Sequence, residues 1–310
     1  MNYDVLHETV YSYESPVVLS QQLLHLTPRV VEYQRLAWHR IEVGPSPAET
    51  AARHDYFGNP VTQIMLAAPH ASLSVRAHSH IEVMPRTRPA GTDAAAPWER
   101  LRDRLRASGG DRVLPTLLEP AQFLYESPHV ELFRDLAAYA EPSFAKGRDM
   151  LEAALDLARR IHADFTFDPK ATSVSTPLRE VLAKRRGVCQ DYAHFMAGCL
   201  RMLGLPARYV SGYILTAPPP GKPRLVGADA SHAWVSVWCG EAGGANAGVD
   251  VDPTNNMLVG EQHVTLAWGR DFSDVTPMRG VILGGGAQRL TVRVTVTPRA
   301  EAPIESELHG

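Results

Sequence analysis

The sequence predicts an α+β protein in which a helix carrying a cysteine packs on an antiparallel β-sheet, preceded by an N-terminal β-sandwich-like domain. Three observations lead there. Residues 1–85 fall into short runs of period-2 alternation. Residues 150–203 switch to the helical spacing of apolar residues. Alternation returns in "SHAWVSVW" (231–238) and "QRLTVRVTVTP" (288–298). A chain of 310 residues has room for about two domains.

Within 1–85, a β-rich domain, the strand-like runs are "YDVLHETVYSY", "LAWHRIEVGP", "NPVTQIMLA" and "SLSVRAHSHIEVMP", with "FGNP" (57–60) as a turn. Residues 86–146 are Pro-, Ala- and Arg-rich, which reads as a linker with helical segments. One of these is "SPHVELFRDLAAYAEP", ending before Pro142. The expected core spans 147–275. Leu151, Ala154, Leu155, Ala158 and Ile161 share a helical stripe. In "STPLREVLAKRRG", Thr176 is the expected N-cap, Pro177 the first helical residue and Gly187 the residue past the end. The next helix starts near Cys189 and carries one stripe of Ala193, Met196, Ala197, Leu200 and Leu203. Strands follow in "LGLPARYVSGYIL", "SHAWVSVW" and "GVDVDPTNN". Residues 276–310 form a C-terminal strand and tail. Gly284–Gly286 reads as a turn, since no Lys-Ser/Thr follows as in a phosphate loop.

Composition narrows the function. Hydrophobic residues make up 45% and charged residues 21%, with a net charge of −3 and a pI near 6.5. No basic face for nucleic acid is expected. The start "MNYDVLHETV" has no basic and apolar signal pattern, and no stretch is long enough to span a bilayer. A cytoplasmic protein without membrane partners is expected. The three cysteines, Cys189, Cys199 and Cys239, do not read as a disulfide framework.

Cys189 stands apart. It follows Gly187-Val188 at the expected start of a helix, where orphan N–H groups and the macrodipole stabilise a thiolate. Arg185 and Arg186 either add positive charge there or close the preceding helix. A thiolate nucleophile needs a base, and the base needs an orienting group. His232 comes 43 residues later at the head of a strand, and Asp252 a further 20 residues on, at the end of the next. A hairpin of 232–238 with 248–252 would set His232 across from Asp252. Asp250 points to the same side of its strand and competes for the role. Asp191 and His194, close to Cys189, are expected to be structural. Cys199 and Cys239 are expected to be core residues.

These segments resemble the transglutaminase-like superfamily, whose core is a rearranged relative of the papain-like proteases. The resemblance rests on "FTFDPKATSVSTPLREVLAKRRGVCQDYAHFMAGCLRMLGLPARYVSGYI", "ASHAWVSVW" and "DVDPTNN". It covers roughly 150–275. The N-terminal region and "GRDFSDVTPMRGVILGGG" resemble the bacterial cysteine protease and amidase branch. It implies a papain-like/transglutaminase-like core, a Cys189-His232-Asp252 triad and no cofactor or metal. The backbone N–H of Cys189 is the first oxyanion donor it implies, with Gln190 and Trp234 assigned to shape the site and oxyanion pocket. This chain departs from the family pattern in two places. "GEAGGANAGVD" lacks the usual tryptophan before the Asp strand, and no tryptophan lies between Trp98 and Trp234.

The expected activity is cysteine-dependent acyl transfer on peptide or isopeptide amides of a peptide or protein substrate, with hydrolysis favoured. Amine acceptance, as in a protein-glutamine transglutaminase, is the alternative. A catalytically silent peptide-binding scaffold is another. A metal site at His78 and His80, with His70 nearby, is a weaker reading, since no acidic or cysteine partner is close in sequence. Only four lysines occur among 31 basic residues, so few acceptors exist for self-crosslinking.

Overall fold

The computed structural model describes residues 1–86, 96–107, 115–216, 231–240 and 248–299. The N-terminal region forms β1 (Asn2–Leu24), β2 (Gln34–Gly44), β3 (Glu49–His54), β4 (Pro60–Leu66) and β5 (His70–Val83). They lie in the order β2-β5-β1-β4-β3, all antiparallel. Strand β1 has two halves, separated by a register shift between Ser12 and Val17. Its first half pairs with β5 and its second with β4. Tyr13, Val17, Leu24, Ile64, Leu73 and Val75, drawn from both halves, share one buried cluster. The region is therefore one bent sheet folded on its own core. Strand β3 gave no alternation signal because every residue on it is exposed.

The other side of β1 is taken by the end of the chain. Strands β13 (Met278–Gly284) and β14 (Gln288–Arg299) pair with Val17–Leu24 and Asn2–Tyr13. The C-terminal segment set apart in the sequence is thus, over its described part, built into the N-terminal sheet. Gly284, Gly285 and Gly286 all have positive φ, which only glycine adopts without strain, and they turn the chain between these strands.

The second layer is an antiparallel sheet in the order β11-β10-β9-β8-β12. Its strands are β8 (Ala207–Ile214), β9 (Ser231–Trp238), β10 (Gly248–Asp252), β11 (Met257–Leu258) and β12 (His263–Gly269). Against it pack α4 (Met150–Asp164) and α6 (Cys189–Met202), with α5 (Leu178–Lys184) beside α6. Short strands β6 (Thr166–Phe167) and β7 (Arg186–Gly187) pair in parallel just before α6. Helix α6 is buried on all sides from Asp191 to Arg201, beyond the single stripe expected. Such a helix is surrounded by other elements and does not lie on a surface.

The expected linker, 86–146, is corrected. Helices α1 (Trp98–Ala107), α2 (Pro115–Ala121) and α3 (Arg134–Ala140) put Trp98, Leu101, Leu105, Leu117 and Leu136 into the main core. Arginines between the apolar positions of α1 hide that stripe in a composition reading. The same core takes in Tyr3, Val5, Ile81, Val83, Val294 and Val296, so the two sheets share buried surface. The glycine-rich stretch 241–247 and the tail 300–310 lie outside the described residues.

Two buried side-chain amides join the layers. Gln34 accepts from the Thr265 N–H (2.7 Å) and donates to the Thr265 carbonyl (2.8 Å). Asn59 does the same with Trp268 (2.9 and 2.8 Å). Together they act as a substitute strand along the edge of β12. Either change, Gln34→Ala or Asn59→Ala, leaves a buried N–H and C=O without partners. Each is expected to lower stability by about 2–4 kcal/mol in urea unfolding. A loss below about 0.5 kcal/mol would show that the clasp contributes nothing net.

Candidate active site

The site begins where α5 ends. Pro177, not Thr176, occupies the N-cap of α5, and Thr176 Oγ1 instead accepts from the Ser173 N–H (2.9 Å). Arg185 closes α5 in the left-handed region at φ 48°, the role expected of Gly187. Gly187 serves another purpose: a Cβ there would run into the Asp191 carboxylate. That carboxylate accepts from the Val188 N–H (2.8 Å) and the Thr172 hydroxyl (2.6 Å), which ties down the first turn of α6. Burial pushes the Asp191 carboxyl pKa up against these bonds. Cys189 is the first helical residue, half-buried, with Sγ 3.9 Å from the Ser231 carbonyl.

Asp191 and His194 are engaged by neighbouring backbone groups. His194 Nε2 accepts from the Phe272 N–H (3.1 Å) and its ring stacks on His129. Arg185 and Arg186 are more than half exposed and pair with Asp164 and Asp168 at 3.8 Å. Cys199 and Cys239 are buried, and burial pushes the Cys199 thiol up.

His232 and Asp252 meet. His232 Nε2 is 2.7 Å from Asp252 Oδ2, inside the protein. They are not directly opposite, as the sequence had them. Val251 pairs with Val235 and Asp250 with Ser236, so Asp252 is level with Trp234 and reaches His232 on the diagonal. With Nε2 on the carboxylate, Nδ1 is the nitrogen left for Cys189, whose Sγ lies 3.9 Å from the carbonyl of Ser231, the residue before His232.

Asp250 does different work. Its Oδ2 accepts from Trp234 Nε1 (3.0 Å) and from Arg86 (2.5 Å), and the Arg86 guanidinium lies 3.7 Å from the centre of the Tyr33 ring. Trp234 therefore cannot offer its N–H to an oxyanion, which corrects that part of its assignment. It shapes the site, tilted 6.2 Å from His232 and edge-on to His263 at 5.3 Å. Gln190 stays at the mouth, its amide 3.5 Å from the Val174 carbonyl. The N–H groups of Cys189 and Gln190, in the first turn of α6, are the natural donors to a developing oxyanion.

The sequence reading missed two partners of Asp252. Asn255 Nδ2 donates to Oδ2 (2.7 Å), while Oδ1 accepts from the N–H groups of Thr254 and Asn255 (2.9 and 3.1 Å). "DPTN" could have signalled this turn, since an aspartate caps the backbone two and three residues ahead. His263 Nε2 lies 3.3 Å from Oδ2, and nothing near it in sequence marks it.

Among the described residues, His232, Asp252 and His263 form a group whose ligand atoms lie within 4.8 Å of one another. The hydrogen bonding argues against a metal there. Gly260 N–H points at His263 Nδ1 (3.4 Å), so the neutral ring carries its hydrogen on Nε2 as a donor to Asp252. A metal-bound histidine needs an acceptor at its outer nitrogen. His78 stands against Trp38 (4.6 Å), His80 pairs with Asp4 (3.1 Å) and His70 Nδ1 bonds the Ala68 carbonyl (2.8 Å), so these three have separate partners.

The charges have a clear order. Burial lowers the His232 pKa, but Asp252 and Cys189 outweigh it and raise it to about 10. Burial would raise Asp252, but His232 and His263 hold it well below the usual carboxylate range. The favoured state is imidazolium on carboxylate. The His232 contribution to stability is whole below its unfolded value of 6.5 and is lost as pH rises toward 10. The stability gap between wild type and His232→Gln is therefore expected to be widest near pH 5–6 and to close by about pH 10, as read by urea titrations. A gap that widened with rising pH would contradict the imidazolium.

Known proteins share this architecture. The profile described as "Bacterial transglutaminase-like N-terminal region" matches residues 3–82, and that of the "Transglutaminase-like superfamily" matches 137–250. An uncharacterized protein of Mycobacterium tuberculosis is 38% identical over 299 residues, 96% of this chain and 92% of the relative. A protein-glutamine gamma-glutamyltransferase of Pseudomonas aeruginosa is 34% identical over 122 residues, 39% of this chain and 18% of that protein. The crystal structure of a "Putative Cysteine Protease" from Cytophaga hutchinsonii superposes with a TM-score of 0.70 at 18% identity, covering 98% of this chain and 93% of that one. The chain belongs to the transglutaminase-like superfamily, in the form that carries the bacterial N-terminal region.

Proposed function

We propose that this protein is a cysteine-dependent acyl-transfer enzyme acting on peptide or isopeptide amides, with Cys189 as nucleophile, His232 as base and acid, and Asp252 as the orienting carboxylate. One observation carries this reading: a buried imidazole, His232, meets Asp252 through Nε2 (2.7 Å) and directly follows Ser231, whose carbonyl lies 3.9 Å from Cys189 Sγ.

The steps follow from that placement. His232 holds the proton of Cys189, leaving a thiolate at the α6 N-terminus. The thiolate attacks the amide carbonyl carbon, and the oxyanion forms beside the N–H groups of Cys189 and Gln190. His232 gives its proton to the leaving amine, and the C–N bond breaks to yield a thioester. Water then attacks as His232 takes one of its protons. The C–S bond breaks, which releases the acid and restores the thiolate–imidazolium pair. Asp252 stays ionised throughout and stabilises the imidazolium. Half-burial of Cys189 leaves the thioester open to water, which supports hydrolysis. Amine acceptance is the second reading, favoured by the partial match to the gamma-glutamyltransferase.

The test is iodoacetamide labelling of Cys189 against pH, read by mass spectrometry. Fast labelling well below pH 8 in wild type, lost in His232→Ala, is expected. Labelling only near the ordinary thiol pKa of ~8.5, equal in both proteins, would leave a binding scaffold. Glutamine and isopeptide substrates given with and without methylamine then separate the acceptors. Free acid as the main product supports hydrolysis, and the methylamide supports transamidation.

A further inference from the structure

We propose that His263 is a positioning residue for the site, donating its Nε2–H to Asp252 Oδ2 and so holding the carboxylate in the orientation that aligns His232 with Cys189. This rests on the acyl-transfer reading above. Asp252 Oδ2 collects His232 (2.7 Å), Asn255 (2.7 Å) and His263 (3.3 Å), while Oδ1 is held by its own turn. Asn255 belongs to the same turn as the carboxylate and moves with it. His263 comes from another strand, the start of β12, and ties the carboxylate to the opposite edge of the sheet, with β9 and β8 between β10 and β12.

The donor role of His263 is set by its surroundings. The ring has no exposure, and the Gly260 N–H at Nδ1 selects the Nε2–H tautomer. The groups that face it are Asp252 from β10, His232 and Trp234 from β9, and Arg86 from the segment after β5. Burial, His232 and Arg86 disfavour a charged ring, and only Asp252 favours one. Strand β12 is itself gripped by Gln34 and Asn59 two and five residues further on. The N-terminal sheet therefore reaches the candidate site by a short path, through one strand and one imidazole.

The test compares His263→Ala with His263→Gln in the full chain, since glutamine keeps an N–H donor of similar reach. The readout is the pH midpoint of Cys189 alkylation in protein shown to be folded by circular dichroism. His263→Ala is expected to raise the midpoint by about one pH unit, which is roughly tenfold slower labelling below it. His263→Gln is expected to restore most of the wild-type profile. A purely structural histidine would lower the melting temperature in both variants and leave the midpoint unchanged, which overturns the proposal. If neither variant folds, histidine ¹⁵N shifts of the wild type decide it. A neutral, Nε2-protonated His263 from about pH 6 to 9 supports the donor role, and a charged or Nδ1-protonated ring overturns it. Running His232→Ala alongside separates the two readings. A wild-type midpoint in a folded His263→Ala, beside a large effect of His232→Ala, sinks only the positioning role. Ordinary thiol behaviour in the wild type sinks both.

Discussion

Asp252 is a carboxylate with no exposure to solvent, and its surroundings are arranged to satisfy it. An ionised group taken out of water costs several kcal/mol unless partners replace its hydration. Here five donors do so: two backbone N–H groups, Asn255 and two imidazoles. They come from three segments: the start of β9, the end of β10 with its turn, and the start of β12. The strand ends of β9, β10 and β12 must therefore converge for the charge to be tolerated at all. The same convergence fixes the His232 ring against the carboxylate.

The N-terminal sheet is best understood as a brace on this arrangement. Its Gln34 and Asn59 complete the open edge of β12. Its exit segment supplies Arg86 to Asp250, and Asp250 in turn holds the Trp234 indole. His7 on β1 bonds the Tyr213 hydroxyl of β8 at 2.9 Å, deep enough that burial lowers its pKa to about 4. It stays neutral at ordinary pH, so this contact between the layers carries no charge. Because β13 and β14 return to β1, the segment 278–299 is secured on the side of the molecule that supports the site.

Legibility in the sequence followed the range of the interactions. The start of α6 could be read because its determinants are local: Gly187, Cys189 and Asp191 lie within five residues. The strands β5 and β9 could be read from alternation or aromatic and β-branched content. Helix α1 lies in a stretch that reads as linker with at most one short helix, because its three buried residues are separated by charged ones. Strand β12 was passed over because it is buried on both faces and so shows no alternation.

The sequence by itself determined the class of fold, the cysteine at a helix N-terminus, and a histidine and an aspartate at strand ends in the right order. These depend on periodicity and on neighbours a few residues away. The resemblance already pointed to Asp252, but only the tertiary structure gave the geometric reason, because Asp250 and Asp252 share a strand face until the register with β9 is set. The tertiary structure also decided that the Trp234 N–H is committed to Asp250, and that His263 and Asn255 share the Asp252 carboxylate. A hydrogen bond between residues on separate strands leaves no periodic trace in either one. It exists only once the sheet order β10-β9-β8-β12 has brought the strand ends together.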